Sequence, residues 1–530
     1  MVLPSNSAMR PWFSGPAVVD KLPLLVLLTA AAFCATLLSF VREPVFYLGD
    51  GGMKLLATQQ FAKGVFTSEL RLPAEDWVKL LWQSGYYPLE PPFVFEIGGR
   101  HVVGQPLIFP AASAPFYRLF GYRGLYFLPA ASAVLLAAGM HIAARRIGLS
   151  AAALAIAHAG WATSYLMVYS AIFWDHVPGT MLAWWGIFPV IESFSHRVTP
   201  RRLGMAGLFL GVSGWFRPEC LALAAIVIVM WGPVAARRAM LSEWAAFSAV
   251  TIAVMGGFFA LNFYTFGHVL GTHAVPVFNR SEADHLRAAV QLVAFFGREL
   301  LRFAPIAVFV AYLAIRMGFA KTRQGTASFW FLVTSAVLFV FAVSYMVPTE
   351  GGLQWGPRHV IPVVPLLSLA AGIGWQQATL RADRTNYSLT FALAVAVIGY
   401  GVWLNMWVGG HNLRNNYQLK MLPTIRLVEA TGIDQIVVTD QSTAQEMAAL
   451  MQDHRFYLAP QDERQPRRLA RLADAFEAAG RQHFLVIVSV EPDTRDLLAP
   501  PTANGTAHCW TRRHLGTNTV GYVVYEFSRC

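Results

Sequence analysis

Between Leu22 and Val408 the chain carries eleven apolar runs, joined for the most part by short connections that hold arginine. Few folds accept that pattern. A helix rises about 1.5 Å per residue, so roughly 20 apolar residues cross a hydrocarbon core of about 30 Å. The runs are Leu22–Phe40, Leu125–Ala143, Ala151–Ser170, Pro178–Phe194, Leu203–Phe216, Cys220–Val234, Trp244–Tyr264, Phe303–Met317, Ser328–Val347, Ile361–Trp375 and Leu389–Val408. Of 530 residues, 55% are hydrophobic and only 13% charged, too few to cover a soluble body of that size. The expected fold is a polytopic α-helical membrane protein with about eleven transmembrane helices. Lys21 and Arg42 bracket the first run, which is longer than the apolar core of a signal peptide and lacks a small-residue cleavage site, so it reads as a span.

Loop charge sets the orientation. One set of short connections carries Arg145 and Arg146; Arg197, Arg201 and Arg202; Arg237 and Arg238; Arg316, Lys321 and Arg323; Arg381 and Arg384. The opposite set, Ile172–Val177, Arg217–Glu219 and Pro348–His359, holds only Arg217 and Arg358. The positive-inside rule puts the first set and the N-terminus in the cytoplasm and the C-terminus outside, which in a bacterium means an inner-membrane protein with a periplasmic C-terminus. The formal charge of +11 is therefore a feature of topology, and nucleic acid is not an expected partner. As a span, the proline-interrupted stretch Gln105–Gly121 would invert every later loop, so it reads as a helix in the outer interface. Met53–Lys63 reads as a second interfacial helix, with Lys54 and Lys63 at the headgroups. Residues 42–123 thus form a first extracytoplasmic loop, within a membrane domain of residues 1–410.

After about Gly410 the composition changes. Gln435–Thr439, Phe484–Val490 and Gly521–Phe527 read as buried strands, and Leu419–Ala430, Ala444–Gln452 and Pro466–Ala479 as helices. Residues 411–530 are expected to form an outward α/β domain. Cys509 and Cys530 both lie there, and either a disulfide or two thiols fits; Cys34 and Cys220 read as packing residues within or beside spans.

Polar groups recur at the expected outer face. Asp50, in Phe46-Tyr-Leu-Gly-Asp-Gly-Gly-Met-Lys54, follows the first span and is either a catalytic carboxylate or a helix cap. Asp175 and His176 share a very short turn, where an ionised acid is costly unless solvated or paired. Arg217 and Glu219 flank Pro218 and are either an internal ion pair or part of a site. The loop Phe266–Arg302, with His268, His273, Arg280, Glu282, Asp284, His285 and Arg287, reads as a phosphate-binding or merely solvated face. In Pro348–His359 the paired glycines and Gly-Pro permit a tight turn that gathers Glu350, Trp355, Arg358 and His359, of which Arg358 suits a phosphate. Phosphate-cradling glycine loops, zinc-type His/Cys spacings and the Gly-x-Ser-x-Gly elbow are all missing, which argues against a nucleotide-driven pump or a soluble-type hydrolase.

In order and topology the chain resembles the GT-C superfamily of membrane glycosyltransferases, the class of protein O-mannosyltransferases and lipid A aminoarabinose transferases. The matching pieces are Asp50 after the first span, Gly104-Gln-Pro-Leu-Ile-Phe-Pro running to Leu119-Phe-Gly121, Ala144-Arg-Arg-Ile-Gly148, and Asp175 in the second outer turn. Trp215-Phe-Arg-Pro-Glu219 and Gln354-Trp-Gly-Pro-Arg-His-Val-Ile-Pro362 are similar to pieces of bacterial members. The resemblance spans residues 20–410. It implies a hexosyl- or pentosyltransferase that moves a sugar from a polyprenyl-phosphate donor to a lipid, glycan or protein acceptor outside the cytoplasm. Asp50 would be the base on an acceptor hydroxyl or would orient it, with Asp175 a second acid that binds the acceptor or stands behind the site. Arg358, His359, Arg217, Glu350, Trp355, His176 and Arg100 would bind substrate, Arg100 standing where relatives often place lysine or tyrosine. Members differ in metal use: no metal or cofactor is assigned, and a divalent ion is compatible. Where many members carry a second acid after the first, this chain has Gly51-Gly52. The rival reading is a lipid or solute transporter or flippase, which would set ionisable residues midway along spans and show matched halves.

Overall fold

The computed structural model describes residues 20–47, 49–271, 282–318, 326–352, 354–380, 382–460, 468–489, 510–517 and 521–530. His273, Arg280, Lys321, Arg323, Arg381 and Cys509 lie outside them.

The molecule is a bundle of apolar helices capped by a sheet domain. The first helix, α1 (Leu22–Phe40), buries only Pro23, Ala30 and Leu37 and leaves Leu24, Leu25 and Leu28 bare, as a lipid-facing helix does. A long apolar run follows in two helices, α3 (Ile108–Phe120) and α4 (Phe127–Arg146), joined by a tight turn at Gly121–Tyr126. Four more helices, α8 (Glu219–Arg237), α9 (Leu241–Phe266), α12 (Thr326–Met346) and the helical run α14 (Arg384–Thr431), are also long and apolar enough to cross a membrane. That makes six such segments among the described residues, or seven if α10 (Glu282–Phe303) and α11 (Ile306–Gly318), bent by 100°, are one span. The protein is therefore an integral membrane protein. The eleven expected spans are not all of crossing length. The run Ala151–Ser170 ends as a helix at Ala162 (α5, Ala151–Ala162), while α6 (His176–Glu192), α7 (Pro200–Phe216) and α13 (Val363–Thr379) have 17 residues each. Of these, α6 and α13 are buried along most of their length, so neighbours rather than lipid shield them.

The helix α6 separates two charged clusters. At its C-terminal end Glu192 takes Arg146 at 2.7 Å and Arg202 at 2.6 Å, which brings two of the arginine-bearing connections together. Its N-terminal end carries Asp175 and His176, about 25 Å away at 1.5 Å per residue.

On that second side lies α2 (Gly49–Ala62), followed by a hairpin of β1 (Val94–Ile97) and β2 (Arg100–Val103). The interfacial reading of Met53–Lys63 needs correction at Lys54. That side chain is 2% exposed and points inward to Asp175, because α2 lies beneath the sheet domain with Met53 through Thr58 buried. Lys63 stays at the surface, where its ammonium donates to Gln452 Oε1 at 3.0 Å.

The C-terminal domain is a mixed five-stranded sheet in the order β4-β3-β5-β7-β6, with α15 (Gln441–Glu446) and α16 (Arg468–Ala478). Its strands are β3 (Gln435–Val438), β4 (Arg455–Leu458), β5 (His483–Ser489), β6 (Trp510–Thr517) and β7 (Tyr522–Arg529). β3 runs parallel to β4 and β5, and β7 antiparallel to β5 and β6. No loop separates this domain from the bundle, since α14 runs straight through Gly409-Gly410. A Cβ on Gly409 would sit 2.9 Å from the Trp355 ring, so this glycine is spent on close packing rather than on a hinge. Cys530 is disulfide-bonded, and Cys34 and Cys220 are free thiols.

Candidate active site

Four segments far apart in sequence converge at the N-terminal end of α6. Asp50 comes from the first turn of α2, Asp175 and His176 from the turn before α6, Arg217 and Glu219 from the α7–α8 corner, and Arg358 and His359 from the turn after α12. Three glycines with positive φ, Gly351 at 104°, Gly352 at 82° and Gly356 at 77°, make that last turn tight. A Cβ on Gly351 would lie 2.8 Å from His359 Nε2 and 2.9 Å from Arg358 Nε, so the loop folds directly over both.

Each acid faces a cation. Arg358 Nη1 donates to Asp50 Oδ2 at 2.6 Å. Arg217 Nη1 donates to Asp175 Oδ1 at 3.3 Å and its Nη2 to Glu219. Lys54 Nζ lies 3.6 Å from Asp175 Oδ2 and donates to Gln105 Oε1 at 2.9 Å. His359 Nδ1 lies 2.5 Å from Glu219 Oε1 and 3.4 Å from Arg217. Three carboxylates thus balance three cations in a buried space, where any one of them unpaired would cost several kcal/mol. Burial pushes the Asp50 carboxyl up, but Arg358, Lys54 and His176 together outweigh it and hold the group below the usual carboxylate range. Asp175 is held well below that range against its burial, chiefly by Lys54 and Arg217. Burial moves His359 the other way, towards its neutral form.

An aromatic wall closes the cluster. The Arg358 guanidinium lies over the Trp174 ring at 5.2 Å, and Trp174, Tyr169 and His176 pack within 5.5 Å of one another. The Tyr169 hydroxyl, Trp174 Nε1, His176 Nε2 and Arg358 Nε are buried without a hydrogen-bond partner among the described residues, while His176 Nδ1 lies 3.3 Å from Asp175 Oδ1. So many unpaired polar atoms in one place are unusual in a core and fit a site that meets a polar ligand. Beside it runs an apolar groove of about 380 Å³, whose lining includes Phe66, Gln105, Trp215, Pro218 and Phe258. Gln105 and Pro218 tie this groove to Lys54 and Arg217. Among the described residues no three His, Cys, Asp or Glu side chains converge as metal ligands.

Of the expected residues, the structure brings together Asp50, Asp175, His176, Arg217, Arg358 and His359. Trp355 turns away, its indole donating to Asn405 Oδ1 at 3.1 Å, while Asn405 in turn holds the carbonyls of Thr163 and Phe303, both at 2.9 Å. Glu350 is exposed and lines a separate surface groove with Asp284 and Arg287. Arg100 is exposed on the β1–β2 hairpin, opposite Ile97. The expected loop Phe266–Arg302 is instead helical from Glu282, and on α10 His285 meets the Tyr345 carbonyl and Asp284 pairs with Arg287. Sequence reading placed Lys54 at the headgroups and Gln105 in an interfacial stretch, not in the cluster, although Lys54 stands four residues after Asp50 and so shares its helix face.

Neither a family profile nor a curated protein matches this sequence. Solved structures do. ArnT from Cupriavidus metallidurans bound to undecaprenyl phosphate superposes with a TM-score of 0.58, over 95% of this chain and 97% of the other, at 14% identity. The chain has the ArnT fold. The apo form of ArnT aligns over the same shares with a TM-score of 0.54. The archaeal oligosaccharyltransferase AglB from Archaeoglobus fulgidus aligns at 0.43 and 11% identity, over 90% of this chain and 70% of its own, a likeness too slight to argue from. With 95% of this chain covered, the likeness to ArnT takes in both the bundle and the sheet domain.

Proposed function

We propose that the chain is a membrane glycosyltransferase that moves a sugar from a polyprenyl-phosphate donor to an acceptor hydroxyl outside the cytoplasm. The observation that carries this reading is the Asp50–Arg358 ion pair, set in an ArnT fold beside an apolar groove. The groove suits a prenyl tail, and undecaprenyl phosphate is what the ArnT crystal holds.

In the resting site Arg358 occupies the Asp50 carboxylate. A donor phosphate competes for the same guanidinium through charge-assisted bonds and so releases Asp50 to the acceptor. Asp50 then takes the hydroxyl proton as that oxygen attacks the anomeric carbon. The bond from that carbon to the phosphate oxygen breaks, and its electron pair leaves with polyprenyl phosphate, which Arg358 and Arg217 stabilise. Inversion at the anomeric carbon is expected. Asp175 holds Lys54 and Arg217 in place and is a second acid near the acceptor. No metal enters this scheme.

The same reading keeps eleven membrane-embedded segments with the shorter helices inside the bundle, a cytoplasmic N-terminus, an outward domain of residues 411–530, and a bacterial inner membrane. The test is to incubate purified protein with polyprenyl-phosphate sugars in detergent. A glycosyltransferase consumes the donor with no gradient. A transporter or flippase leaves it intact and moves it only across a sealed bilayer.

A further inference from the structure

We propose that the C-terminal domain sets the reach of Asp50, with Gln445 as a positioning residue; this rests on Asp50 being the base. The argument starts from the glycines that flank Asp50. A Cβ on Gly49 would fall 2.4 Å from Gln445 Oε1 and 2.6 Å from Gln445 Cβ. On Gly52 it would fall 1.9 Å from the Gln445 carbonyl oxygen and 2.8 Å from Ala448 Cβ. On Gly51 it would meet the Phe46 ring at 2.9 Å. None of these glycines has a positive φ, so their use here is close approach rather than a turn. The first turn of α2 is seated against α15 on one side and Phe46 on the other, with no room for a side chain at any of the three.

The seat itself is stiff. Asp440 caps α15 by accepting from the Thr443 amide at 2.9 Å and the Thr443 hydroxyl at 2.7 Å. Glu446, at its other end, is buried and held by the Tyr522 hydroxyl of β7 and by Lys420 at 3.2 Å. Gln441 ties the same helix to the first loop, donating to the Pro91 carbonyl and accepting from the Glu90 amide, both at 3.2 Å. Phe46 is packed among Tyr122 and Phe173, at 5.4 and 6.1 Å. A carboxylate at the start of a helix held this way has little freedom to swing. Glycine in place of a second acid is thus the price of close packing, with Gly52 against the sheet domain and Gly51 against Phe46.

The test is a double-mutant cycle on transfer. Gly49→Ala is expected to lower kcat about 100-fold through sub-ångström displacement of the base, with donor KM within about threefold. In a Gln445→Gly background the clash is relieved, and the same substitution is expected to cost less than about threefold. Ala448→Val presses on Gly52 from the sheet domain and is expected to repeat the kcat-only loss, so it carries the test if Gly49→Ala does not accumulate. An equal loss from Gly49→Ala in both backgrounds, or a loss confined to KM, overturns the inference. So does full activity of Gly49→Ala beside a dead Asp50→Asn, whereas an active Asp50→Asn rejects the base itself. Amide exchange over residues 50–58 gives a readout free of catalysis: faster in Gly49→Ala and restored in the double variant if the seat exists, unchanged if it does not.

Discussion

The Asp50 carboxylate and the Arg358 guanidinium meet at 2.6 Å although 308 positions separate them in the chain. Both side chains are largely buried, with 13% and 16% of their surface exposed, so the contact puts the head of the first loop and the turn after α12 on one side of the bundle. It also makes Arg358 the natural point of competition between the protein's own carboxylate and a ligand's phosphate.

Asp50→Asn keeps the shape and removes the proposed base. Transfer is expected to fall by about 10²- to 10⁴-fold, with membrane abundance unchanged. Polyprenyl phosphate should bind at least as tightly as before, because Arg358 has lost its internal partner. Titration of the purified variant with polyprenyl phosphate, beside a turnover assay, checks both halves; unchanged turnover rejects the assignment.

Arg358→Lys keeps the charge but not the planar fork, so donor KM is expected to rise about tenfold with the fold intact. Arg358→Ala is a different case. It strands the Asp50 carboxylate in a buried site, which costs about 3–5 kcal/mol. Thermal unfolding in detergent should therefore separate the two variants clearly; equal melting temperatures would show that the pair is not buried in the working protein.

Acid dependence follows from the direction in which Asp50 and Asp175 are shifted. Both carboxyls sit below their unfolded values, so the stability they contribute is complete above about pH 4 and is lost as pH falls through their lower folded values. The acid limb of kcat/KM, which reports the free protein, should lie below about pH 4. Donor binding takes Arg358 from Asp50 and removes the main attraction holding its proton off. The acid limb of kcat should then lie at higher pH than that of kcat/KM. Coincident limbs would mean that Arg358 does not leave Asp50 when donor binds.

Lys54 and Lys63 offer an internal comparison on one helix. Lys54→Met leaves Asp175 buried with one cation fewer and is expected to cost about 3 kcal/mol or more. Lys63→Met removes an exposed contact to Gln452 and is expected to cost less than about 1 kcal/mol. Melting temperatures of the two variants read the difference directly, and a Lys54→Met chain as stable as Lys63→Met would count against the buried cluster.

Much of the bundle could be read from the chain because apolar runs and spans follow from local chemistry. The break after Ala162 could not. There the Tyr165 amide leaves the helix for the Phe303 carbonyl at 3.1 Å, and Asn405, 242 positions after Thr163, donates to the Thr163 carbonyl at 2.9 Å. Strands β4 and β6 were missed for related reasons. The first is four residues long and exists by pairing with β3, while the second shows Arg512, Arg513 and His514 outward, unlike a buried strand. Trp355 read as a ligand contact because a tryptophan near an arginine suits either purpose, and its partner lies on another helix.

Hydrophobicity and loop charge, which act over one span at a time, determined from sequence alone that this chain lives in a membrane and which acids and arginines stand near its rim. Tertiary structure decided which of those charges meet. Pairing a buried acid with a base takes sub-ångström placement of segments hundreds of residues apart, and only the packing of α2 under the sheet domain, and of one glycine turn over Arg358 and His359, supplies it.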